Sequence, residues 1–331
     1  MTRINVVAFE NGVGNSRDLT LIHAALEALG CQVTVTRVGA RERRWRRSWF
    51  SYAQARLRLR SRRNRHDFEF DCTLMMEHIW PQQLHRARTN IVMPNPEWFD
   101  RGDRRLLALV DRVWAKTSHS LSAFNALGCH TTLTGFDSED RFDATVPREP
   151  TFFHLAGKSR MKGTGRLLAL WARHPEWPSL TVVHSRRAAF PIAAAPNIVY
   201  RSEFLTDEAL RQLQNAHAYH LCLSETEGWG HYLPEAESVG AIVIATDAEP
   251  MNELVTSGRG LLIRSASHGR QHLADLYAFD EADLVRVVGK ALRMTGEQRS
   301  ALGAAARAWF LENKRTFPKR IALALADAGG S

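Results

Sequence analysis

The sequence predicts an α/β protein made of two doubly wound halves, each a parallel sheet with helices on both faces. Strand and helix patterns alternate along most of the chain, which is typical of βαβ units. The alternation stops at 143–150, a run with two prolines and no apolar periodicity, which indicates a linker. The pattern then restarts at residue 151, and a length of 331 residues suits two domains.

The first half is predicted from short apolar runs that alternate with amphipathic stretches. Its predicted strands are Ile4–Phe9, Gln32–Val38, Phe70–Met76, Asn90–Met93, Arg112–Lys116 and Thr131–Thr134. Its predicted helices are Leu19–Leu29, Arg104–Val110 and Ser120–Leu127.

The second half repeats this logic, and Thr206 is the predicted N-cap of one helix. Its predicted strands are Thr151–Ala156, Leu180–His184, Ile198–Tyr200, Ala218–Leu223, Ile242–Thr246 and Gly260–Ile263. Its predicted helices are Gly165–His174, Thr206–Asn215, Leu233–Val239, Met251–Thr256, Asp280–Met294 and Gln298–Asn313. Ligands of such sheets bind beyond the carboxyl ends of the strands, so we expect a cleft between the halves.

The composition excludes several classes of protein. Apolar residues make up 44% and charged residues 24%, which are globular values. No window approaches 18 continuous apolar residues, and the N-terminal apolar run Val6–Phe9 is too short for a signal peptide. The four cysteines form no Cys-x-x-Cys pair, so we expect reduced thiols in a cytoplasmic protein.

The net charge of +9 comes from one segment, Arg41–Arg65, which holds eleven arginines and one acid. Its aromatic and leucine side chains fall at helical spacings, with arginines on the other face. Three interpretations compete: a solvated loop anchored by its aromatics, a contact with an anionic membrane surface, and a contact with a nucleic-acid backbone. The candidate contacts are Arg43, Arg44, Arg46, Arg47, Arg58, Arg60, Arg62 and Arg63.

Two loops of the second half carry the residues that suggest chemistry. The loop Gly157–Gly163 joins a strand to a helix and holds three cations, which suits a pyrophosphate, although a solvated turn fits equally well. It lacks the P-loop pattern. The run 224–235 contains Glu227 and Glu235, and glycines free the backbone between them. Glu235 lies near a helix start, where a carboxylate is stabilised and could bind a ribose diol. A pair of solvated acids is the plainer alternative.

The order of these features resembles the retaining glycosyltransferases of family 4, which have the GT-B fold. Ser224 to Asp247 matches the family's Ser-x-x-Glu-Gly-Phe-Gly-x4-Glu run through Ala-Thr-Asp, with Trp229 for the Phe and Ile242 for a Pro. Pro250 to Val255 resembles its Pro-x-x-Glu-Leu-Val. In the first half, Gly135 to Phe142 resembles the family's Gly-Val-Asp-x3-Phe.

The resemblance implies roles for individual residues. Lys158 and Lys162 would neutralise the donor diphosphate, Glu235 would bind the ribose, and Glu227 with the Gly228–Gly230 backbone would contact the transferred sugar. The full implied donor set is Gly14, Gly157, Lys158, Arg160, Lys162, Gly228, Trp229, Gly230 and Glu235. Lys158 stands where the family has Arg, which removes a bidentate fork. His184-Ser185 stands where the family often has a glycine-rich turn.

In the first half, the family often has an important His after a strand of its sheet. Here that residue would be His78, which makes the expected catalytic set His78, Glu227, Lys158 and Lys162. Glu77 could orient an acceptor hydroxyl, although both residues could simply end a strand. Glu97 and Trp98, in the proline-bounded loop 94–99, are candidates for acceptor binding or for core packing.

We therefore expect a metal-independent glycosyltransferase that uses a nucleotide-sugar as co-substrate and no cofactor. The expected domains are an acceptor-side half at 1–147, a nucleotide-sugar half at 148–305, and a helix at 306–331 that crosses back. The favoured acceptor is a lipid-linked or envelope glycan at the inner membrane face, where the chain would bind peripherally. A hydroxylated DNA base is the alternative acceptor, and a non-catalytic nucleotide-sugar-binding protein is the second alternative.

Overall fold

The computed structural model of the chain describes residues 1–9, 14–39, 42, 44, 48–62, 68–185, 194–203 and 205–329. It divides into two compact units. The N-terminal unit comprises Met1–Asp137, Arg270–Ala274 and Lys314–Ser331. The C-terminal unit comprises Ser138–Gly269 and Asp275–Asn313.

The N-terminal unit is built on a parallel sheet of six strands in the order β2-β1-β3-β4-β5-β6. The strands are β1 (Arg3–Ala8), β2 (Gln32–Arg37), β3 (Phe70–Glu77), β4 (Ala87–Pro94), β5 (Arg112–Ala115) and β6 (Thr131–Leu133). The helices are α1 (Gly14–Ala28), α2 (Trp49–Arg62), α3 (Arg101–Leu106) and α4 (Ser118–Asn125). Short 3₁₀ turns occupy Pro96–Trp98 and Leu107–Leu109.

The C-terminal unit has a second parallel six-stranded sheet, in the order β12-β11-β10-β7-β8-β9. Its strands are β7 (Glu149–Gly157), β8 (Leu180–His184), β9 (Ile198–Arg201), β10 (His217–Cys222), β11 (Ile242–Thr246) and β12 (Gly260–Ile263). Its helices are α5 (Thr164–Ala172), α6 (Asp207–Ala216), α7 (Tyr232–Ser238), α8 (Met251–Leu254) and α9 (Glu281–Arg293). Thr206 caps α6 as predicted, because its side chain accepts from the Ala209 N–H.

The sequence analysis missed one pair of strands. A hairpin of β13 (Ser265–Gln271) and β14 (Ala274–Phe279) follows β12. Its first strand is polar and mostly exposed, so it lacks the apolar alternation that predicts a strand. The last helix, α10 (Gly296–Gly329), continues through Pro318, so the two predicted helical segments 298–313 and 306–331 form one helix.

The division between the units also differs from the predicted one. The N-terminal unit ends at Asp137, whereas the sequence suggested residue 147. The segment after Asp137 is fixed within the C-terminal unit, where Arg141 pairs with Asp207 and the Asp143 N–H donates to Asn215. Both acceptor residues belong to α6, and no local sequence signal reports such contacts. The helix returning to the N-terminal unit does so at Lys314 rather than at residue 306.

The strand orders locate one switch point in each sheet. In the N-terminal unit β1 lies between β2 and β3, so connections leave it in opposite directions. In the C-terminal unit the chain builds outward from β7 to β9, then crosses over and builds from β10 to β12. Ligands of doubly wound sheets bind beyond the carboxyl ends of strands at such points. The loops after β3, β7 and β10 are therefore the places to look for a site.

Candidate active site

The loop after β7 is shaped by a glycine and carries a partly buried cation. Gly163 has a φ of 62°, and a Cβ there would lie 2.8 Å from the carbonyl oxygen of Leu223, so only glycine fits. Lys162 Nζ donates to the carbonyl oxygen of Leu155 at 3.0 Å and lies 3.6 Å from the ring centroid of Tyr232. The ammonium is therefore held at the carboxyl edge of the sheet.

The other predicted cations lie on the outer part of the same loop. Lys158 and Arg160 are exposed, and Gly157 has a φ of 59° with open space around it. The Ser159 hydroxyl accepts a hydrogen bond from the N–H of Met161. The loop therefore carries one cation that the protein holds in place, Lys162, which we call the built-in cation. Its other two cations, Lys158 and Arg160, are exposed to solvent.

The loop after β10 holds Glu227 against the loop after β7. The backbone N–H of Glu225 donates to the carbonyl oxygen of Met161 at 2.8 Å, which joins the two loops. The Ser224 hydroxyl donates to Glu227 Oε1 at 2.6 Å and also bonds to the Tyr232 hydroxyl. These contacts hold the carboxylate in one place.

Gly230 lies directly under this carboxylate. Its φ is 72°, and a Cβ at this position would lie 2.9 Å from Glu227 Cγ. Glycine is required here for two reasons. Its backbone adopts a positive φ without penalty, and a larger residue would collide with Glu227.

Burial raises the pKa of Glu227 above its usual value, while the charge of Lys162 and the Ser224 hydrogen bond act against that rise. Lys162 and the Ser224 hydroxyl therefore favour the negative form of Glu227.

Glu235, the second glutamate of the motif, is bonded to another helix. It lies in the first turn of α7, is 1% exposed, and accepts from Gln214 Nε2 at 3.1 Å. Gln214 Oε1 in turn accepts from Arg141 Nε at 2.9 Å. A chain of hydrogen bonds from the segment after Asp137 therefore holds the second glutamate of the motif.

Trp229 and Gly228 are both buried. The indole N–H of Trp229 donates to the Ser138 hydroxyl oxygen at 3.0 Å, and that hydroxyl also bonds to His231 Nδ1 at 2.9 Å. The Trp229 side chain therefore anchors the loop, so that any contact with a donor would come from its backbone.

In the N-terminal unit, β3 ends in a tight turn at Glu77 and His78. The His78 N–H donates to the carbonyl oxygen of Met76 at 2.7 Å, and Glu77 between them has a φ of 64°. A bond across three residues with a positive central φ is the rarer, strained form of γ-turn. Such strain persists only where the surroundings enforce it, and it often marks functional sites.

His78 is buried and paired with a residue that sequence reasoning missed. Its Nδ1 lies 2.9 Å from Asp103 Oδ2, and the other oxygen of Asp103 accepts from the Ile79 N–H at 3.0 Å. Asp103 is fully buried in the first turn of α3. On the other side, His78 Nε2 lies 3.6 Å from Glu77 Oε2.

The loop after β4 contains the predicted acceptor residues. Glu97 is buried, whereas Trp98 is 46% exposed. Two residues of the hairpin tip bind this loop: the Leu273 N–H donates to Pro96 O, and Gln271 Nε2 donates to Glu97 O. The Trp98 ring is therefore accessible to solvent, whereas the Glu97 side chain is buried.

A buried lysine ties the same loop to the start of α1. Lys116 Nζ bonds to Asp18 on α1 and to Asn95 Oδ1 at 3.0 Å, and it lies 4.6 Å from the ring centroid of Phe136. Gly14, a predicted donor contact, is the first residue of α1, and residues 10–13 lie outside the described part of the chain.

The arginine set is only partly described. Arg44 and Arg58 are exposed, and Arg60 and Arg62 lie in the last turn of α2. Arg43, Arg46, Arg47 and Arg63 lie outside the described residues.

Three partner residues were missed because their signals are tertiary. Asp103 and Gln214 come from helices far along the chain from the residues they bind, and nothing in their neighbourhood marks them. Tyr232 was quoted within the motif, but its contact with Lys162 joins two loops that are far apart in the sequence and is seen only in the fold. Across the described ranges, no three His, Cys, Asp or Glu side chains group as a metal site. The expectation of a metal-independent reaction stays a prediction.

The chain thus consists of two units, each built on a parallel six-stranded sheet with loops at its switch point. Neither a family model nor a curated protein matches the chain. Solved structures match over its whole length. Anabaena Alr3699/HepE in complex with UDP and glucose is 15% identical, with a TM-score of 0.68 over 98% of this chain and 100% of that one.

Sucrose-phosphate synthase from Thermosynechococcus elongatus is 11% identical, with a TM-score of 0.72 over 99% of each chain. A trehalose-6-phosphate synthase studied for glycosyl transfer with retention is 13% identical, with a TM-score of 0.67 over 98% of this chain and 99% of that one. At these identities the likeness establishes the fold, and the GT-B fold predicted from the sequence is confirmed.

Proposed function

We propose that this chain is a retaining glycosyltransferase that moves a sugar from a nucleoside-diphosphate sugar to an acceptor hydroxyl. The observation that carries the proposal is the cluster at the switch point of the C-terminal sheet. There Lys162 and Glu227 are held by Tyr232, Ser224 and the carbonyl oxygen of Leu155. A cation beside a hydrogen-bonded carboxylate suits a ligand with a diphosphate at one end and hydroxyls at the other.

The diphosphate would bind at the loop after β7. Lys162 supplies a fixed positive charge, Lys158 and Arg160 supply exposed ones, and the first N–H groups of α5 face the same loop. Alr3699/HepE, which shares the fold, is described with UDP and glucose, so UDP-sugars are the first donors to test.

The proposed chemistry needs no strong base. The bond between the sugar C1 and the diphosphate oxygen breaks while the acceptor oxygen bonds to C1 on the same face, and the leaving phosphate takes the acceptor proton. Lys162 would stabilise the charge that develops on the diphosphate. Glu227 would bind hydroxyls of the transferred sugar, and Glu235 would bind the ribose of the donor.

The deciding experiment is nucleotide release from UDP-, GDP-, ADP- and TDP-sugars. Wild type is compared with Glu235→Gln and with Glu208→Gln, which changes an exposed carboxylate on α6. Release from one donor that falls in Glu235→Gln and persists in Glu208→Gln supports the proposal. Thermal stabilisation by a nucleotide with no release from any donor would instead indicate the non-catalytic binding protein.

We propose a lipid-linked glycan as the acceptor. The reason is that α2 has one apolar face packed on the core and a second apolar face exposed to solvent. One face packs on the core of the N-terminal unit through Ala55, with Tyr52 and Leu59 partly buried beside it. The other face is turned to solvent, with Phe50 at 80% and Leu57 at 69% exposure. This corrects the sequence-based expectation of a single apolar face opposite the arginines.

The exposed face favours lipid over DNA as the partner. Phe50, Ala53 and Leu57 form an exposed apolar stripe at helical spacing, Trp49 adjoins it at 64% exposure, and arginines flank it. Interfacial helices bury such a stripe at the headgroup boundary while basic residues bind anionic lipid. A phosphate backbone would need the arginines alone. Within the described residues, no helix is both long and apolar enough to cross a bilayer.

Vesicle binding separates the two acceptors. Phe50→Ser with Leu57→Ser should abolish sedimentation with phosphatidylglycerol vesicles, while Leu323→Ser, which changes another exposed leucine, should not. Binding to duplex DNA that survives Phe50→Ser with Leu57→Ser and is lost in Arg44→Ser with Arg58→Ser would favour the DNA acceptor. Transfer assays with lipid extract and with hydroxymethylated DNA then identify the acceptor directly.

A further inference from the structure

In the N-terminal unit, the hydrogen bonds of His78 indicate which nitrogen of its ring carries a proton. One oxygen of Asp103 lies 2.9 Å from His78 Nδ1, and the other accepts from the Ile79 N–H at 3.0 Å. A carboxylate is only an acceptor, so the Nδ1 atom must carry the proton for this bond to form. In the neutral ring, a proton on Nδ1 leaves Nε2 as an acceptor.

The geometry of Asp103 leaves it little freedom. It is fully buried, and the N-cap Asp100 fixes the first turn of α3 by accepting from the N–H groups of Gly102 and Asp103. The strained turn at Glu77 then brings His78 onto Asp103, since the His78 N–H is bonded back to Met76. The backbone and the carboxylate together set the orientation of the ring.

His78 Nε2 is placed beside a second polar atom. It lies 3.6 Å from Glu77 Oε2, a spacing that suits two neighbouring hydroxyl groups of a sugar. Nε2 without a proton accepts a hydrogen bond, as Glu77 does, so the two atoms offer paired acceptors to a diol.

We propose that Asp103 is a positioning residue, which keeps the proton on His78 Nδ1 and so makes Nε2 and Glu77 Oε2 a pair of groups that bind sugar hydroxyls. This inference rests on the proposed function for the identity of the ligand, but the state of the ring does not depend on it.

Asp103→Asn tests the inference without a change of shape. Asn Oδ1 still accepts from the Ile79 N–H, but Asn Nδ2 donates to His78 Nδ1 and so moves the ring proton to Nε2. One acceptor of the pair then becomes a donor. We expect kcat for transfer to fall about tenfold, because a hydrogen bond to the substrate is lost and a donor replaces an acceptor, with the donor KM nearly unchanged. Asp71→Asn, the same substitution at a partly exposed position of β3, should retain wild-type kcat.

Nitrogen NMR of histidine-labelled protein gives a readout that needs no activity. A His78→Gln variant identifies the His78 signals. Nδ1 should be protonated in wild type and unprotonated in Asp103→Asn. An unprotonated Nδ1 in wild type overturns the inference, as does a wild-type kcat in Asp103→Asn. If wild type transfers no sugar from any donor, the proposed function fails, and the wild-type nitrogen shifts still decide whether Asp103 controls the ring.

Discussion

The two units place polar groups at equivalent points of their sheets, but they build their sites differently. In the C-terminal unit, Ser224, Glu227, Gly230 and Tyr232 fall within nine consecutive residues; Ser224 bonds to Glu227 and Tyr232, and Gly230 leaves the space that Glu227 fills. In the N-terminal unit, His78 depends on Asp103, which belongs to a separate helix. A site carried by one continuous loop can be recognised in a sequence, whereas a site made by tertiary pairing cannot.

Backbone conformation separates the two sites as well. Gly230 has a positive φ, so the C-terminal loop adopts its shape without strain. Glu77 has a positive φ with a full side chain, so the N-terminal turn is held against a steric penalty. The first site is preformed by glycine, and the second is enforced by its surroundings.

The largest expected effect is an acid sensitivity of the C-terminal unit. Burial lowers the pKa of His154 and of His217 to about 4, and that of His220 to about 3. In the unfolded chain these groups protonate near 6.5, so stability is full above that pH and falls as the pH drops toward 4. Each should cost about 2 kcal/mol at pH 5.

Denaturant unfolding at pH 7 and pH 5 measures this loss. His154→Gln should reduce the difference between the two pH values by about 2 kcal/mol. Equal sensitivity of that variant and wild type would show that His154 does not stay neutral in the folded chain.

Removing the built-in cation should have the next largest effect. Lys162→Ala deletes the charge held at the leaving diphosphate, and we expect kcat to fall about a hundredfold. Lys158→Ala removes an exposed cation from the same loop and should cost less than about tenfold, because solvent screens it. Steady-state kinetics with the active donor compares them, and a larger loss at Lys158 would reverse the assignment.

Gly230→Ala should lower both stability and activity. The positive φ costs about 1–2 kcal/mol, and the new methyl group displaces Glu227. Gly128→Ala is the matched control, since Gly128 has a φ of 76° and nothing within 4 Å of its Cβ position. Both variants should lose similar backbone stability, but only Gly230→Ala should lose transfer. Retained transfer would mean that Glu227 is free to move.

The smallest expected effect is the gain in stability when the backbone strain at Glu77 is relieved. Glu77→Gly and Glu77→Ala remove the same side chain, so their difference isolates the backbone. The glycine variant should be more stable by about 1 kcal/mol, because only it adopts a φ of 64° without penalty. Equal melting temperatures would indicate that the turn relaxes when the side chain is removed.

The sequence analysis predicted the fold well and the site unevenly. Apolar periodicity located twelve parallel strands, because buried strands of such sheets are continuous apolar runs. It missed the hairpin of β13 and β14, because β13 is polar and mostly exposed. The motif around Glu227 led to the C-terminal cluster. Asp103 and Gln214 carry no local mark, since each acts on a residue brought close only by the fold.

The sharing of α10 between the units bears on how the chain folds during synthesis. Phe317 and Ile321 are buried in the N-terminal unit, where Phe317 packs on Phe136 at 5.3 Å and Arg320 binds Thr134 O. The ribosome therefore releases the last part of the N-terminal core only after the whole C-terminal unit has been synthesised. Although N-terminal domains usually fold first on the ribosome, here the unit that is begun first is completed last. All residues of the C-terminal unit have been synthesised once Asn313 is added. This unit can therefore fold before the last part of α10 completes the N-terminal unit.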